Sequence, residues 1–386
     1  RQILREPFLC SINVADFNAD GMLDLVLGTY ESPDNPETDM IVYYGTPSGF
    51  DESHRQKVHV PSRSFGLAIA DYDRDRWLDL AIVGYANDLV TLYRGGPDGF
   101  TDQRKRTLRY PAPIELETAD LNADGWLDLV VSSYYDPVTQ KRDTGLSIFW
   151  GDPRGWTLDN SQWLPGLSAQ AMGVADLDRD GFLDLVLPNY HGELTREHLP
   201  SYIYWGSAAG YSTRQRTLLT VDSAVDVMIA DYDGDGRLDL AFTAHSVDAG
   251  HRVSSPVYFN DGRRFESPRV QYLPVIGPFY SWEQDPGNIY TRRFEEEFTS
   301  RVLAWSAPAG RGSIRVDAAT PFGSQAEVQV RSAPDAAALE KAAWRAVDAG
   351  RFTLGAADRA LQYRLLLKSA NGDAYPVVRQ VDVGVE

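Results

Sequence analysis

Asp231-Tyr-Asp-Gly-Asp-Gly-Arg-Leu-Asp239 is written five times in this chain of 386 residues, the other copies starting at Asp16, Asp71, Asp120 and Asp176. Successive starts lie 55, 49, 56 and 55 residues apart. A period of this length means one supersecondary unit used repeatedly. Every copy carries side-chain oxygens at positions 1, 3, 5 and 9 and Leu at position 8, and four of five have Gly at position 6. Such a stretch reads as a hard-cation loop leading straight into a buried strand.

The flanking sequence repeats as well. In the second copy, Phe65–Asp71 alternates into a short strand, the loop follows, and Leu78–Tyr85 is a near-continuous apolar strand. Leu89–Tyr93, a Gly-Pro turn at 95–100 and a polar strand through Arg106–Tyr110 complete the unit. The third strand and its turn recur as Val42–Phe50, Ile148–Trp156, Tyr204–Tyr211 and Tyr258–Phe265, with aromatics on both sides of the turn that can pack across a hairpin. Four short strands per unit at regular spacing argue an all-β fold, and four-stranded sheets repeated at this period argue a β-propeller of five blades over residues 1–273. Residues 274–298, with Pro274, Gly277, Pro278, Pro286 and Gly287, read as a connector. Residues 299–386 alternate as strands, with one short helix at Ala336–Trp344, and are expected to form a β-sandwich of jelly-roll type.

Arg1–Phe8 aligns with the outer strands at Arg104–Tyr110 and Arg214–Thr220, while Phe265–Leu273 also reads as an outer strand of the fifth unit. Six outer strands for five units leave one surplus. The amino-terminal strand closes the last blade, or the chain is an excerpt of a longer propeller, or an open edge exchanges strands between subunits.

Charge follows the loops. The net charge is −18, and the five loops carry 18 carboxylates, since Asn18 and Asn122 replace two of the twenty ligand positions. The remaining 37 acidic residues match 37 Lys and Arg, so the whole excess sits where carboxylates would repel at close range unless a cation joined them. An acidic chain of this kind does not point to nucleic acid. Cys10 is the only cysteine, which excludes an intrachain disulfide, and it reads as a buried strand residue. No apolar run is long enough to span a bilayer. The opening Arg1-Gln-Ile-Leu-Arg5 shows no signal-peptide pattern, so the chain reads as a mature or excised segment.

Calcium takes six to eight oxygens in irregular geometry, from carboxylates, a backbone carbonyl and water. The expected ligands are Asp16, Asn18, Asp20 and Asp24 with the Met22 carbonyl, and Asp71, Asp73, Asp75 and Asp79 with that of Trp77. The third copy offers Asp120, Asn122, Asp124 and Asp128 with Trp126, and the fourth Asp176, Asp178, Asp180 and Asp184 with Phe182. The fifth offers Asp231, Asp233, Asp235 and Asp239 with Arg237. An EF-hand is excluded, because position 12 is Leu27, Ile82, Val131, Leu187 or Phe242 rather than Glu, and strands flank the loop. Magnesium, which demands tight octahedral geometry, suits the loop less well.

The repeats over 1–273 resemble the FG-GAP and VCBS family of calcium-bearing propeller blades, as in integrin α-subunit heads and many secreted bacterial proteins. The resemblance implies up to five calcium ions and a secreted or cell-surface location, and is silent on ligand. Arg76 stands where the family has Gly, so the Asp71–Asp79 site is expected to be the weakest, and the Asn-bearing first and third loops weaker than the fourth and fifth.

Six residues beyond each last loop Asp stand Tyr30, Tyr85, Tyr134, Tyr190 and His245. They fall at the far end of the second strand, away from the loops, where they either cap their own blades or form a binding face for a protein or glycan. A non-enzymatic adhesive or structural scaffold is the first expectation. A polysaccharide lyase or hydrolase with acid–base groups among Tyr190, His191 and His245 is the second, and a filament subunit using the surplus strand the third. No nucleophile elbow, P-loop or paired-cysteine site is present.

Overall fold

The structure, a computed structural model, describes residues 3–6, 9–29, 38–60, 66–85, 87–248, 250–277, 294–320, 323–369 and 375–386. The chain divides into two units, Arg1–Asn18 with Met22–Ile289, and Tyr290–Glu386 with Ala19–Gly21.

Among the described residues the first unit holds five four-stranded antiparallel sheets, each built from strands consecutive in sequence. The first comprises β1 (Leu9–Ala15), β2 (Asp24–Thr29), β3 (Thr38–Tyr43) and β4 (Arg55–Val60). The second comprises β5 (Leu67–Ala70), β6 (Asp79–Gly84), β7 (Leu89–Tyr93) and β8 (Lys105–Arg109). The third comprises β9 (Pro113–Ala119), β10 (Asp128–Ser133), β11 (Leu146–Phe149) and β12 (Ser161–Leu164). The fourth comprises β13 (Gly173–Ala175), β14 (Asp184–Leu187), β15 (Leu199–Tyr204) and β16 (Arg216–Val221). The fifth comprises β17 (Ala224–Ala230), β18 (Asp239–Ala244), β19 (Arg252–Phe259) and β20 (Arg269–Ile276).

Neighbouring sheets bury their faces against each other. Val26, Val42 and Val58 of the first share a cluster with Leu67, Leu80 and Ile82 of the second, and equivalent clusters join second to third, third to fourth and fourth to fifth. This double-sided packing explains why second strands read as unbroken apolar runs: β6, β10, β14 and β18 are buried throughout. Each fully buried aliphatic side chain there contributes about 1.5–3 kcal/mol. Outer strands face water, and β8 is exposed over most of its length. The hairpin aromatics are structural, with Tyr93, Phe149, Tyr204 and Tyr211 all buried.

Two expectations change. Strand β20 pairs with β19 along eight residues, from Arg252↔Ile276 to Phe259↔Arg269, so the fifth sheet is completed by its own outer strand and not by the amino terminus. It runs past Leu273 and through Pro274, because an outer strand tolerates a residue that cannot donate to the ladder. Residues 3–6 form no strand. Instead, the Glu6 carboxylate pairs with Arg55 of β4 and accepts from the Tyr43 hydroxyl of β3, while Leu4 packs near Leu27 and Ile41, all within the first sheet. Tyr43, deep in that environment, has its hydroxyl pushed up to about 12 by burial and by Glu6. Arg1, Gln2, Pro7 and Phe8 lie outside the described residues, as does the side chain of Cys10 in β1.

The second unit is built from β21 (Glu295–Thr299), β22 (Leu303–Ala304), β23 (Arg311–Ala319), β24 (Gln325–Ala333), α1 (Ala336–Leu339), β25 (Arg345–Ala346), β26 (Arg351–Thr353), β27 (Ala360–Lys368) and β28 (Val377–Val385). One sheet has the order β21-β27-β24-β25 with β22 also on β27, and the other β26-β23-β28. Ile314 and Phe352 from one sheet and Val330 and Leu361 from the other share a single cluster. Sheet structure thus starts at Glu295, four residues before the expected 299. The short helix is one turn, its amino end capped by Asp335 accepting from Ala338 N–H at 2.8 Å.

Candidate functional site

The second to fifth loops are wound by their own carboxylates. In the fourth copy Asp176 accepts from Asp180 N–H at 3.1 Å and Gly181 N–H at 3.0 Å, and Asp180 accepts from Phe182 N–H at 3.0 Å. The second, third and fifth copies repeat these bonds at 2.8–3.1 Å. Closing so tight a ring requires left-handed backbone at position 6, with φ of 86° at Gly21, 85° at Gly125, 93° at Gly181 and 87° at Gly236. Arg76 adopts the same conformation, at φ 80°, and its N–H still reaches Asp71 at 3.0 Å. The second loop therefore keeps its shape and carries the strain of an L side chain in that region.

Position 9 has a role that the sequence did not disclose. Asp24, Asp79, Asp128, Asp184 and Asp239 are fully buried at the start of each second strand. One carboxylate oxygen of each accepts from the position-2 N–H, as Asp184 does from Leu177 at 2.9 Å. The other accepts from the turn after the third strand: Gly45, Gly95, Gly151, Gly206 or Asn260, at 2.7–2.8 Å. A Cβ on Gly206 would lie 2.3 Å from the Leu183 carbonyl, and the other three glycines are as tightly placed. The recurrence of Gly 16–23 residues after the Asp was the available signal.

Ligand groups at positions 1, 3 and 9 converge in three copies. Oxygens of Asp71, Asp73 and Asp79, of Asp176, Asp178 and Asp184, and of Asp231, Asp233 and Asp239 lie within 4.8 Å of one another. These acidic clusters have the donor set and spacing to bind a metal ion. Burial pushes the carboxyls of Asp79, Asp128 and Asp184 up to about 7, with neighbouring Asp charges adding to it. Those are carboxylates that a divalent cation would hold ionised, so the residues present fit the expected group. Position 5 stands outside the three clusters, its Asp75, Asp180 and Asp235 capping the position-7 N–H of Trp77, Phe182 and Arg237.

The charge bookkeeping from sequence is corrected here. Arginines supply part of the counter-charge: Arg94 pairs with Asp73 at 3.1 Å, Arg264 with Asp178 at 2.6 Å, Arg269 with Asp233 at 2.8 Å, and Arg237 with Asp235. Adjacent loops also touch. Arg74, at position 4 of the second copy, lies 3.9 Å over the Trp126 ring of the third, and Arg179 of the fourth reaches Gly236 of the fifth.

At the opposite end of the second strands the predicted aromatics meet. Ring centroids are 6.1 Å apart for Tyr85–Tyr134, 6.1 Å for Tyr134–Tyr190 and 5.9 Å for Tyr190–His245. Tyr30 lies outside the described residues. Tyr135, His191 and His251 join this arc. Two arginines missed in the sequence stack on it, Arg142 at 4.5 Å over Tyr134 and Arg196 at 4.8 Å over Tyr190. The two are placed alike: Ser168 donates from its backbone to Arg142 O and from its hydroxyl to Tyr134 O, and Ser223 does the same to Arg196 O and Tyr190 O. Both serines sit at positive φ, 47° and 45°. Their signal in sequence was faint, because the loops holding the arginines differ in length. Tyr190 is buried, its hydroxyl accepts from Arg196 at 2.9 Å, and burial raises it. His191 is lowered by burial and by the charges of Arg196 and Arg142.

The model of the FG-GAP-like repeat matches residues 16–82, 71–131 and 120–187. The chain carries FG-GAP-like repeats on a fold of β-propeller type. The matched windows span the first four acidic loops and their second strands; the fifth acidic loop, Asp231–Asp239, lies beyond them and continues the same bonding. Among solved structures, the V. cholerae biofilm matrix protein Bap1 aligns with a TM-score of 0.42 and 11% identity, covering 97% of this chain and 73% of that one. The WD40 domain of SCAP from fission yeast aligns with a TM-score of 0.38 and 13% identity, covering 77% of this chain and 70% of that one. Among the described residues no helix is long and apolar enough to cross a membrane.

Proposed function

We propose that this FG-GAP repeat chain is a calcium-stabilised, non-enzymatic scaffold of the extracellular space or cell surface, whose aromatic end engages a glycan or protein partner. The observation that carries the reading is a division of labour along one strand. Each second strand starts at a buried loop Asp and, in the second to fifth sheets, leads to a Tyr or His of the arc just beyond its end, six residues and up to about 20 Å away. Cation chemistry at one end stiffens the repeats. The other end offers linked ring faces on a rigid support, where recognition is usually placed.

Oxygen-only donors in irregular loops favour calcium over magnesium, and the weak sites of extracellular modules need roughly 10⁻⁴–10⁻³ M calcium. Thermal unfolding with calcium, with magnesium and with chelator tests the metal half. Calcium should raise the melting temperature well above the chelated value, because a ligand of the folded state must stabilise it; equal melting temperatures refute it. For the recognition half, an oligosaccharide and matrix-protein panel is probed at saturating calcium. Retention that disappears in Tyr134→Ala, with melting unchanged, is expected, and retention indifferent to that change removes the arc from the proposal.

One observation favours a second reading as an acid–base polysaccharide lyase: Tyr190, His191 and His245 converge, with Arg196 on the Tyr190 hydroxyl. Incubation with uronate-containing polysaccharides should then release unsaturated chain ends. No release across the panel disposes of it.

A further inference from the structure

In a chain of net charge −18, some arginines pair with carboxylates, as Arg55, Arg94, Arg154, Arg237, Arg264 and Arg364 do, while others, such as Arg106, Arg216 and Arg331, meet neutral acceptors. Arg142 and Arg196 belong to the second group. Both are half-buried, and among the described residues neither guanidinium makes an ion pair. Arg196 donates to Tyr190 Oη and to Ser246 Oγ at 3.2 Å, both neutral acceptors. Arg142 lies between the Tyr134 and Tyr135 rings, 4.5 and 5.7 Å from their centroids, and among the described residues its enclosed Nη1 has no acceptor.

Leaving a charged N–H buried and unpaired costs more than leaving a neutral one so, and such groups call for a functional account. Carboxylates are close at hand and yet turned elsewhere. Glu193 accepts from the Arg142 backbone N–H at 2.5 Å, and Asp248 accepts from Thr195 Oγ1 at 3.2 Å and from the Arg196 backbone. The same Ser-anchored geometry holds both arginines against their tyrosines, one repeat apart. Two equivalent forks suit a polymer with repeated planar anions, and the neighbouring ring faces suit the apolar faces of sugars.

We propose that Arg142 and Arg196 are paired subsites for the carboxylates of a uronate-bearing polysaccharide, which lies along the Tyr85, Tyr134 and Tyr135 rings. The inference rests on the partner-binding reading of the arc and names the ligand class. With Nη1 enclosed in Arg142 and given to Tyr190 and Ser246 in Arg196, the Nε–Nη2 edge of each guanidinium is the planar donor pair left to match a carboxylate in bidentate fashion, while the rings fix the sugar between the two charges. Carboxylate, rather than a neutral glycan, is what completes the arginines.

The test is calorimetric titration of the full chain at saturating calcium with tetragalacturonate, its methyl-esterified neutral form and poly-glutamate. Tetragalacturonate should bind, weaken with added salt, and lose about tenfold or more in Arg142→Gln/Arg196→Gln, as removing charge-assisted contacts implies. Arg142→Lys/Arg196→Lys should fall between, keeping charge and losing the fork. An unchanged calcium-dependent melting temperature in each variant shows that folding is intact; Tyr134→Ala serves as a second variant should the arginine changes unfold the chain. Equal binding of the neutral ester, unaffected by the arginine changes, overturns the anionic subsites and leaves the glycan face standing. Binding of poly-glutamate without tetragalacturonate overturns the sugar assignment in favour of an acidic protein. No binding of any probe removes both this inference and the glycan reading beneath it.

Discussion

The Asp184 carboxylate accepts the Gly206 N–H at 2.8 Å, joining the start of one strand to the turn beyond the next. With the Leu177 N–H on its other oxygen, this side chain is a clamp whether or not a cation is present. Asp184→Ala should therefore lower stability by roughly 2–5 kcal/mol even in chelator, two buried donors being orphaned, and by more with calcium present, where a ligand is lost as well. Asp176→Ala should instead act mainly with calcium present. Thermal unfolding of both variants in calcium and in chelator separates the two roles; identical calcium dependence would merge them.

Arg76→Gly should stabilise the chain by about 0.5–1 kcal/mol, the relief of left-handed strain being partly offset by glycine's unfolded-state entropy. Calcium affinity of the second loop should rise with it. Gly125→Ala, where φ is 85° and Arg74 stands 3.0 Å from the added Cβ, should move stability the other way. Denaturant midpoints decide, and a destabilised Arg76→Gly would mean that the arginine side chain contributes more than its backbone costs.

Stability should fall as pH rises from about 4.3, where an unfolded Glu ionises, to about 7. Glu117 on β9 is the reason: burial, then the charge of Asp226 on β17, pushes its carboxyl up to about 7, and Glu115 beside it is raised for the same first cause. The folded state then holds protons that the unfolded state has lost, so the slope is negative across that window and flat above it. Glu117→Gln should flatten part of the slope and leave the chain more stable than the parent at pH 8. Denaturant titrations across pH at saturating calcium measure this directly, and a parallel profile would count against it.

Removal of Glu6 tests the amino-terminal segment. Glu6→Ala strips Arg55 and the Tyr43 hydroxyl of their shared carboxylate and should cost about 1–3 kcal/mol. Truncation of residues 1–8 should cost at least as much and leave the mass in solution unchanged. A change of oligomeric state on truncation would revive strand exchange between subunits.

Much of this architecture was legible because one nine-residue stretch joins three signals: ligand oxygens at alternate positions, a left-handed turn, and an apolar strand. Repetition then multiplied the certainty, and the all-β order and the strand ends followed. What stayed hidden depends on partners distant in sequence. Gly206 looks like any turn glycine until the Leu183 carbonyl is found 2.3 Å from where its Cβ would be. Arg142 and Arg196 look like loop charges until the loops bring them onto Tyr134 and Tyr190. Net charge was misleading in one respect, since it could not show that Arg264 and Arg269 come from the fifth unit to neutralise loop carboxylates.

The reach of Arg74 over Trp126, and of Arg179 toward Gly236, gives the repeats a grammar. Copies two and four send an arginine forward; copies three and five receive one, and Ala123 and Gly234 at the sending position of the receivers have nothing to send. The array therefore reads in couplets. Exchanging the second loop with the fourth should preserve the sense of the text, whereas exchanging the second with the third sets two senders side by side.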